Sequence, residues 1–168
     1  MNLSFRTSRF MLFFVCHELI ISAFYFQFVK GLEPCPLCIF QRLAFMGMGI
    51  LFLVAAIHNP KALGQKIYNY LTLIPTIAGI VVAGRHVWLQ HLPKDKVPTC
   101  GPGLNYMIEN FPLGDALSKI FKGSGECAEV SWKMLGFTMP ELTLGTYLVF
   151  ATFLVLSIKS ISKKSLPW

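Results

Sequence analysis

FMLFFVCHELIISAFYFQFV, residues Phe10 to Val29, is the stretch on which the fold turns. An apolar helix of about 20 residues is long enough to cross the hydrocarbon core of a bilayer. A secretory signal opens in a similar way, but its apolar core runs only about 7–15 residues and ends at a small-residue cleavage site. This run is longer, and no such site follows Val29. It is therefore expected to be a retained membrane helix.

Working outward, three further apolar runs follow at 40–57, 67–90 and 142–158. The expected fold is an all-α membrane protein, a four-transmembrane-helix bundle forming one integral membrane domain over 1–168. Segments 30–39 and 91–141 become its two loops on one side. Composition agrees: 54% of the chain is hydrophobic and 14% charged, too little polar surface for a soluble domain of this size. The net charge of +7 does not point to nucleic acid, because Lys and Arg flank the apolar runs instead of forming one patch.

Those cations also set the orientation. Arg6 and Arg9 precede the first run, Lys61 and Lys66 sit between the second and third, and Lys159, Lys163 and Lys164 follow the last. With four spans all three groups face one side, which the positive-inside rule makes cytoplasmic, together with both termini. The opposite segments carry the acids Glu33, Asp95, Glu109, Asp115, Glu126, Glu129 and Glu141. Within the longer of them, Leu113, Leu117, Ile120 and Phe121 recur at helical spacing, which predicts a short amphipathic helix lying on the membrane surface.

The orientation matters because of the cysteines. Cys35, Cys38, Cys100 and Cys127 all lie in the outward segments, whereas Cys16 lies within the first run. For a bacterial inner-membrane protein the outward compartment is the oxidising periplasm, where disulfides persist. Four such cysteines imply two disulfides or a metal site.

Cys35-Pro36-Leu37-Cys38 opens the second helix, where the helix dipole and free N–H groups stabilise a thiolate. Arg42, four residues after Cys38, falls on the same face one turn deeper and adds a permanent cation. The plainer alternative is an inert disulfide beside a snorkelling Arg. Cys100 and Cys127 make the second pair, enclosing a turn-rich loop. They can form a staple, or they can exchange with the first pair through thiolate attack. A zinc site is the third option, although the long loop has single cysteines where paired zinc spacing is usual.

Arg85-His86-Val87-Trp88-Leu89-Gln90 closes the third run. Arg85 and Trp88 read either as interface anchors or, with His86, as a pocket near the CxxC that could hold an apolar ring with two carbonyls. Cys16, His17 and Glu18 read as a buried polar cluster inside the first span.

The sequence resembles the DsbB family of inner-membrane disulfide bond formation proteins. The likeness rests on Glu33-Pro34-Cys35-Pro36-Leu37-Cys38-Ile39-Phe40-Gln41-Arg42, on the Arg85–Gln90 segment, on Cys100, on Gly123-Ser124-Gly125-Glu126-Cys127-Ala128 with Trp132, and on Met139-Pro140. It spans about 10–158. It implies a quinone-dependent thiol oxidase that reoxidises a periplasmic, thioredoxin-fold DsbA-like protein and reduces ubiquinone or menaquinone. By the same resemblance the redox-active disulfides are Cys35–Cys38 and Cys100–Cys127. Cys100 would meet the partner, Cys127 would pair transiently with Cys35, and Cys38 would be freed as a thiolate facing the quinone. Arg42 and His86 would bind the quinone, and Cys16 would have no part. The DsbA-like partner is itself a strong oxidant, at about −120 mV, so the quinone must supply the driving force. Vitamin K epoxide reductase-like enzymes do related chemistry, but their redox motif comes later in the chain. The competing functional readings are a membrane scaffold with structural disulfides and a zinc-binding membrane protein.

Overall fold

The computed structural model describes residues 4–97, 114, 125–130, 132–134 and 136–164. Four long helices dominate: α1 (Phe5–Phe28), α2 (Pro36–His58), α3 (Ala62–Gln90) and α5 (Met139–Lys164). All four are long and apolar enough to cross a membrane, and the chain is a multi-pass four-helix membrane bundle. A single turn, α4 (Gly125–Ala128), and a two-stranded antiparallel hairpin, β1 (Lys133–Met134) and β2 (Phe137–Thr138), precede α5. The expected amphipathic helix over 113–121 lies, Gly114 apart, outside the described residues.

The helices overrun the apolar runs at their ends because local capping extends them. α2 starts at Pro36 instead of about residue 40, since Cys35 serves as its N-cap. It stops where Asn59 takes a left-handed conformation (φ 43°) and Pro60 follows, a C-terminal signal that forbids continuation. α5 starts with a side chain reaching back to its N-terminus: the Glu141 carboxylate accepts from the Thr138 backbone N–H at 2.7 Å and from its hydroxyl at 3.0 Å.

α1 packs on α2, α2 on α3, and α3 on α5. The core lies midway along the bundle, where Phe45, Met48 and Phe52 of α2 meet Tyr147, Phe150 and Leu154 of α5, with Cys16 of α1 and Ala83 of α3. Tyr147 is the central piece. Its ring stacks on Phe45 (centroids 4.3 Å apart) and its hydroxyl donates to the Gln41 carbonyl at 2.7 Å. It can lie there because Gly79 of α3 has no side chain; a Cβ at that position would come within 2.3–2.8 Å of the ring.

Most of α1 faces outward. Only Arg9 and Cys16 are buried, two turns apart on one seam. The expected buried cluster of Cys16, His17 and Glu18 is thereby corrected. Cys16 is fully buried, but His17 and Glu18 are exposed and pair with each other at 3.8 Å. Three consecutive helical residues point about 100° apart, so one face cannot take all three. At the same end of the bundle as both termini, Arg9 donates to Ser157 at 2.6 Å and Lys66 to Ser162 at 3.4 Å. The CxxC, α4 and the hairpin occupy the opposite end.

Candidate functional site

The site begins with a helix cap. Cys35 is extended (φ −65°, ψ 163°), and its Sγ accepts from the Cys38 backbone N–H at 3.4 Å. Pro36 fills the first helical position, where a missing N–H costs nothing. The Cys-Pro-Leu-Cys spacing therefore puts Cys35 at the cap and Cys38 two residues beyond Pro36 on the same side. The two sulfurs stand 3.1 Å apart, with Cys35 donating to Cys38. Both sulfurs sit at the positive end of the helix dipole.

α3 brings His86 to this point from the other side. Its ring is buried, with Nε2 3.8 Å from Cys35 Sγ and Nδ1 4.0 Å from Cys38 Sγ. The Gln41 side-chain nitrogen stands 3.2 Å from Nδ1. With that amide donating, a neutral ring carries its proton on Nε2, toward Cys35.

α4 brings Cys127. It is fully buried, and its Sγ, Cys35 Sγ and a His86 ring nitrogen all lie within 4.8 Å of one another. Leu37, Val82 and Leu89 close the apolar packing around this group. The Cys35 thiol is held well above its ordinary pKa by its hydrogen bond with the Cys127 thiol, then by that with Cys38, then by burial. Cys35 is thus a protonated sulfur between two others. Cys100, and so its expected disulfide with Cys127, lies outside the described residues; the neighbour seen for Cys127 is Cys35.

Beside Cys38 opens a cavity of about 440 Å³ between α1, α2, the segment after α4 and the start of α5. Cys35, Cys38, Gln41, Arg42 and His86 line one part of it, and Leu19, Ile20, Phe26, Phe45 and Leu142 give it apolar walls. Trp132 lines it as well and packs on Phe26 at 4.9 Å.

Arg42 is on the cavity wall but turns toward α1. It donates to the Gln27 side-chain carbonyl and to the Ala23 carbonyl (3.1 Å), with the guanidinium over the Phe24 ring. The sequence motif places it one turn below Cys38, as expected, while its hydrogen bonds tie two helices together. The pocket reading of Arg85 and Trp88 is corrected: they stack on each other at 4.1 Å, Trp88 is half exposed, and neither lines the cavity. Residues 85 and 88 share a helix face one turn apart, and that face is not the one carrying Val82, His86 and Leu89 inward.

Sequence reasoning passed over Gln41, Gln27 and the cavity carboxylates Glu126 and Glu129. Gln41 was visible as a buried-helix amide three residues after a reactive cysteine. The rest carried no local signal, since only the tertiary fold brings them to the cavity.

Comparison with known proteins agrees with this construction. The family model described as "Disulfide bond formation protein DsbB" matches residues 5–157. A protein named Disulfide bond formation protein B from Nitrosococcus oceani is 55% identical over 148 residues, 88% of each chain. One of the same name from Methylococcus capsulatus is 48% identical over 153 residues, 91% of this chain and 93% of its own. A third, from Acinetobacter baumannii, is 45% identical over 150 residues, 89% and 88% of the two chains. With a match over nearly its whole length and a dithiol capping the second of four membrane helices, this chain belongs to the DsbB family of disulfide bond formation proteins.

Proposed function

We propose that this chain is a quinone-dependent thiol:disulfide oxidoreductase of the bacterial inner membrane. It reoxidises a DsbA-like periplasmic dithiol protein of thioredoxin fold and passes the electrons to membrane ubiquinone or menaquinone. Both termini are cytoplasmic, as the Lys and Arg distribution requires, and the cysteine-bearing end faces the periplasm.

The observation that carries this reading is the position of Cys35 between two sulfurs, Cys127 on the loop side and Cys38 on the cavity side. A disulfide handed inward from the loop must pass through Cys35. In that step the Cys127 sulfur attacks Cys35 of a Cys35–Cys38 disulfide. The Cys127–Cys35 bond forms, the Cys35–Cys38 bond breaks, and its electron pair leaves on Cys38. The helix N-terminus stabilises that charge, and Cys127 enters the step as the thiolate released when the partner's thiolate attacks Cys100 of a Cys100–Cys127 disulfide. Cys100, in a Pro- and Gly-flanked outward segment, takes the partner's thiol.

The cavity suits a quinone. Arg42, His86 and Gln41 line it beside Cys38 and can supply donors, and the apolar walls suit an isoprenoid chain. A bound quinone supplies a two-electron, two-proton acceptor. The chain's own part is to hold that ring against Cys38, keep water out with Phe26, Phe45 and Trp132, and present the donors.

The test is oxidation of a reduced DsbA-like protein by the purified chain. One quinone should be reduced for each pair of thiols lost, with no thiol loss in its absence. Thiol oxidation at an undiminished rate without quinone would sink the proposal.

A further inference from the structure

We infer that, in its fully reduced state, the site is a thiophilic metal trap: Cys35, Cys127 and His86 bind one zinc-like cation, with Cys38 as fourth donor. The sulfurs of Cys35 and Cys127 and a His86 ring nitrogen already lie within 4.8 Å of one another, and all three residues are buried. A tetrahedral zinc with bonds of about 2.3 Å to sulfur and 2.0–2.1 Å to nitrogen needs ligand atoms roughly 3.5–3.8 Å apart. Cys35 Sγ and His86 Nε2, at 3.8 Å, meet that spacing as they stand. Closing the third corner takes a rotation of the Cys127 side chain. Cys38 lies 3.1 Å from Cys35 but on the Nδ1 side of the ring, at 4.0 Å, so it joins as fourth donor only by swinging its side chain toward Nε2.

The orienting group is present too. Gln41 lies 3.2 Å from His86 Nδ1. Turned over, its carboxamide oxygen accepts from Nδ1–H and leaves the Nε2 lone pair for the metal, the outer-shell arrangement that ligating histidines require. Binding releases a proton from each coordinating thiol, and no electron moves. The site exists only when the sulfurs are reduced, because a disulfide at Cys35 removes the central ligand. The ligand set differs from a four-cysteine site in using His86 and leaving out Cys100. The consequence rests on the proposed relay: a cation holding Cys35 and Cys127 blocks the exchange between them, so periplasmic zinc or cadmium inhibits the enzyme in its reduced state.

The experiment titrates Cd²⁺ alone into the full chain, purified in detergent without quinone, and follows thiolate-to-cadmium charge-transfer absorption. The reduced chain should saturate at one equivalent, and the chain with its disulfides formed should show no saturable signal. H86N and C127S should each weaken binding by at least tenfold, while C100A leaves it unchanged. Should either of the first two fail to fold, the reduced-against-oxidised comparison and C100A still decide. No saturable binding by the reduced chain, loss of binding in C100A, or full binding in both H86N and C127S overturns the site. Quinone-linked turnover is measured separately on metal-free protein. Turnover unaffected by saturating Cd²⁺ overturns the inhibitory consequence. Absent turnover with intact Cd²⁺ binding overturns the proposed function and leaves the site standing.

Discussion

Arg42 shows how one side chain serves two ends. Its spacing from Cys38 puts a permanent cation beside the reactive dithiol, while its fork of donors joins α2 to the Gln27 side chain and the Ala23 carbonyl of α1. A guanidinium satisfies both acceptors at once, which an ammonium on a flexible stem does not. Arg42→Gln is expected to raise the apparent quinone KM by about tenfold or more, the loss of roughly 1.5–3 kcal/mol carried by a charge-assisted contact. The four redox cysteines should still form their disulfides. Steady-state kinetics with varied quinone checks the first statement and thiol titration the second. Arg42→Lys should fall between Gln and the native residue. An unchanged KM in Arg42→Gln would reduce this residue to a tie between helices. Cys16 makes the opposite case: buried among Phe45, Met48 and Phe52, and at the level of the core instead of the CxxC, it is a small apolar core residue. Cys16→Ala should leave the relay untouched.

Helix packing fixes where those side chains end up. Tyr147 reaches from α5 across Gly79 of α3 to the Gln41 carbonyl of α2, so the turn below the CxxC is tied to two helices that carry no cysteine. Gly79→Ala forces a methyl to within 2.3–2.8 Å of the ring carbons. The ring is itself clamped by Phe45, so α3 and α5 must part, at a cost of about 1–3 kcal/mol. Tyr147→Phe removes only the hydroxyl's hydrogen bond, about 1 kcal/mol. Thermal unfolding in the same detergent should rank native above Tyr147→Phe above Gly79→Ala. A Gly79→Ala protein as stable as the native one would show that the close approach is not a constraint. This contact could not be read from the chain, because nothing local marks Gly79 off from Gly84, which has open space around it. The helices themselves were legible, since an apolar run must be helical to satisfy its backbone in lipid. Their ends were less so: hydropathy does not register that a cysteine sulfur can cap α2 or that the Glu141 carboxylate reaches back to the Thr138 N–H. His86 was found through its motif, yet spacing alone left Arg85 and Trp88 open between interface anchors and the same pocket, and only the helical geometry turns them away from it.

Taken as one object, the bundle separates two encounters. The apolar cavity opens beside Cys38 at the start of α2, while Cys127 sits on the loop side, in the segment that follows Cys100 in the chain. A protein partner has no room in a cavity of about 440 Å³, whereas its apolar walls suit the lipid-soluble quinone of the proposed function. On the proposed function, electrons then cross between loop and helix, and Cys35 is where the sulfurs of the two meet. The proposed topology requires that, after reduction, Cys35 and Cys100 react with a membrane-impermeant reagent only from the periplasmic side; labelling from the cytoplasmic side alone would invert the bundle. The order of the relay has its own test. In Cys127→Ala the partner's attacking cysteine can still join Cys100, but the thiol that would resolve the adduct is missing. The mixed disulfide between Cys100 and the partner should accumulate, visible on non-reducing electrophoresis and assignable by mapping the cross-linked peptides. The Cys35–Cys38 disulfide should survive in that variant, because Cys35 is buried and the sulfur that stands beside it from the loop among the described residues has been removed. An adduct that maps to Cys35 or Cys38 would mean the partner reaches the membrane boundary directly, and Cys100 would lose its place as the first sulfur of the relay.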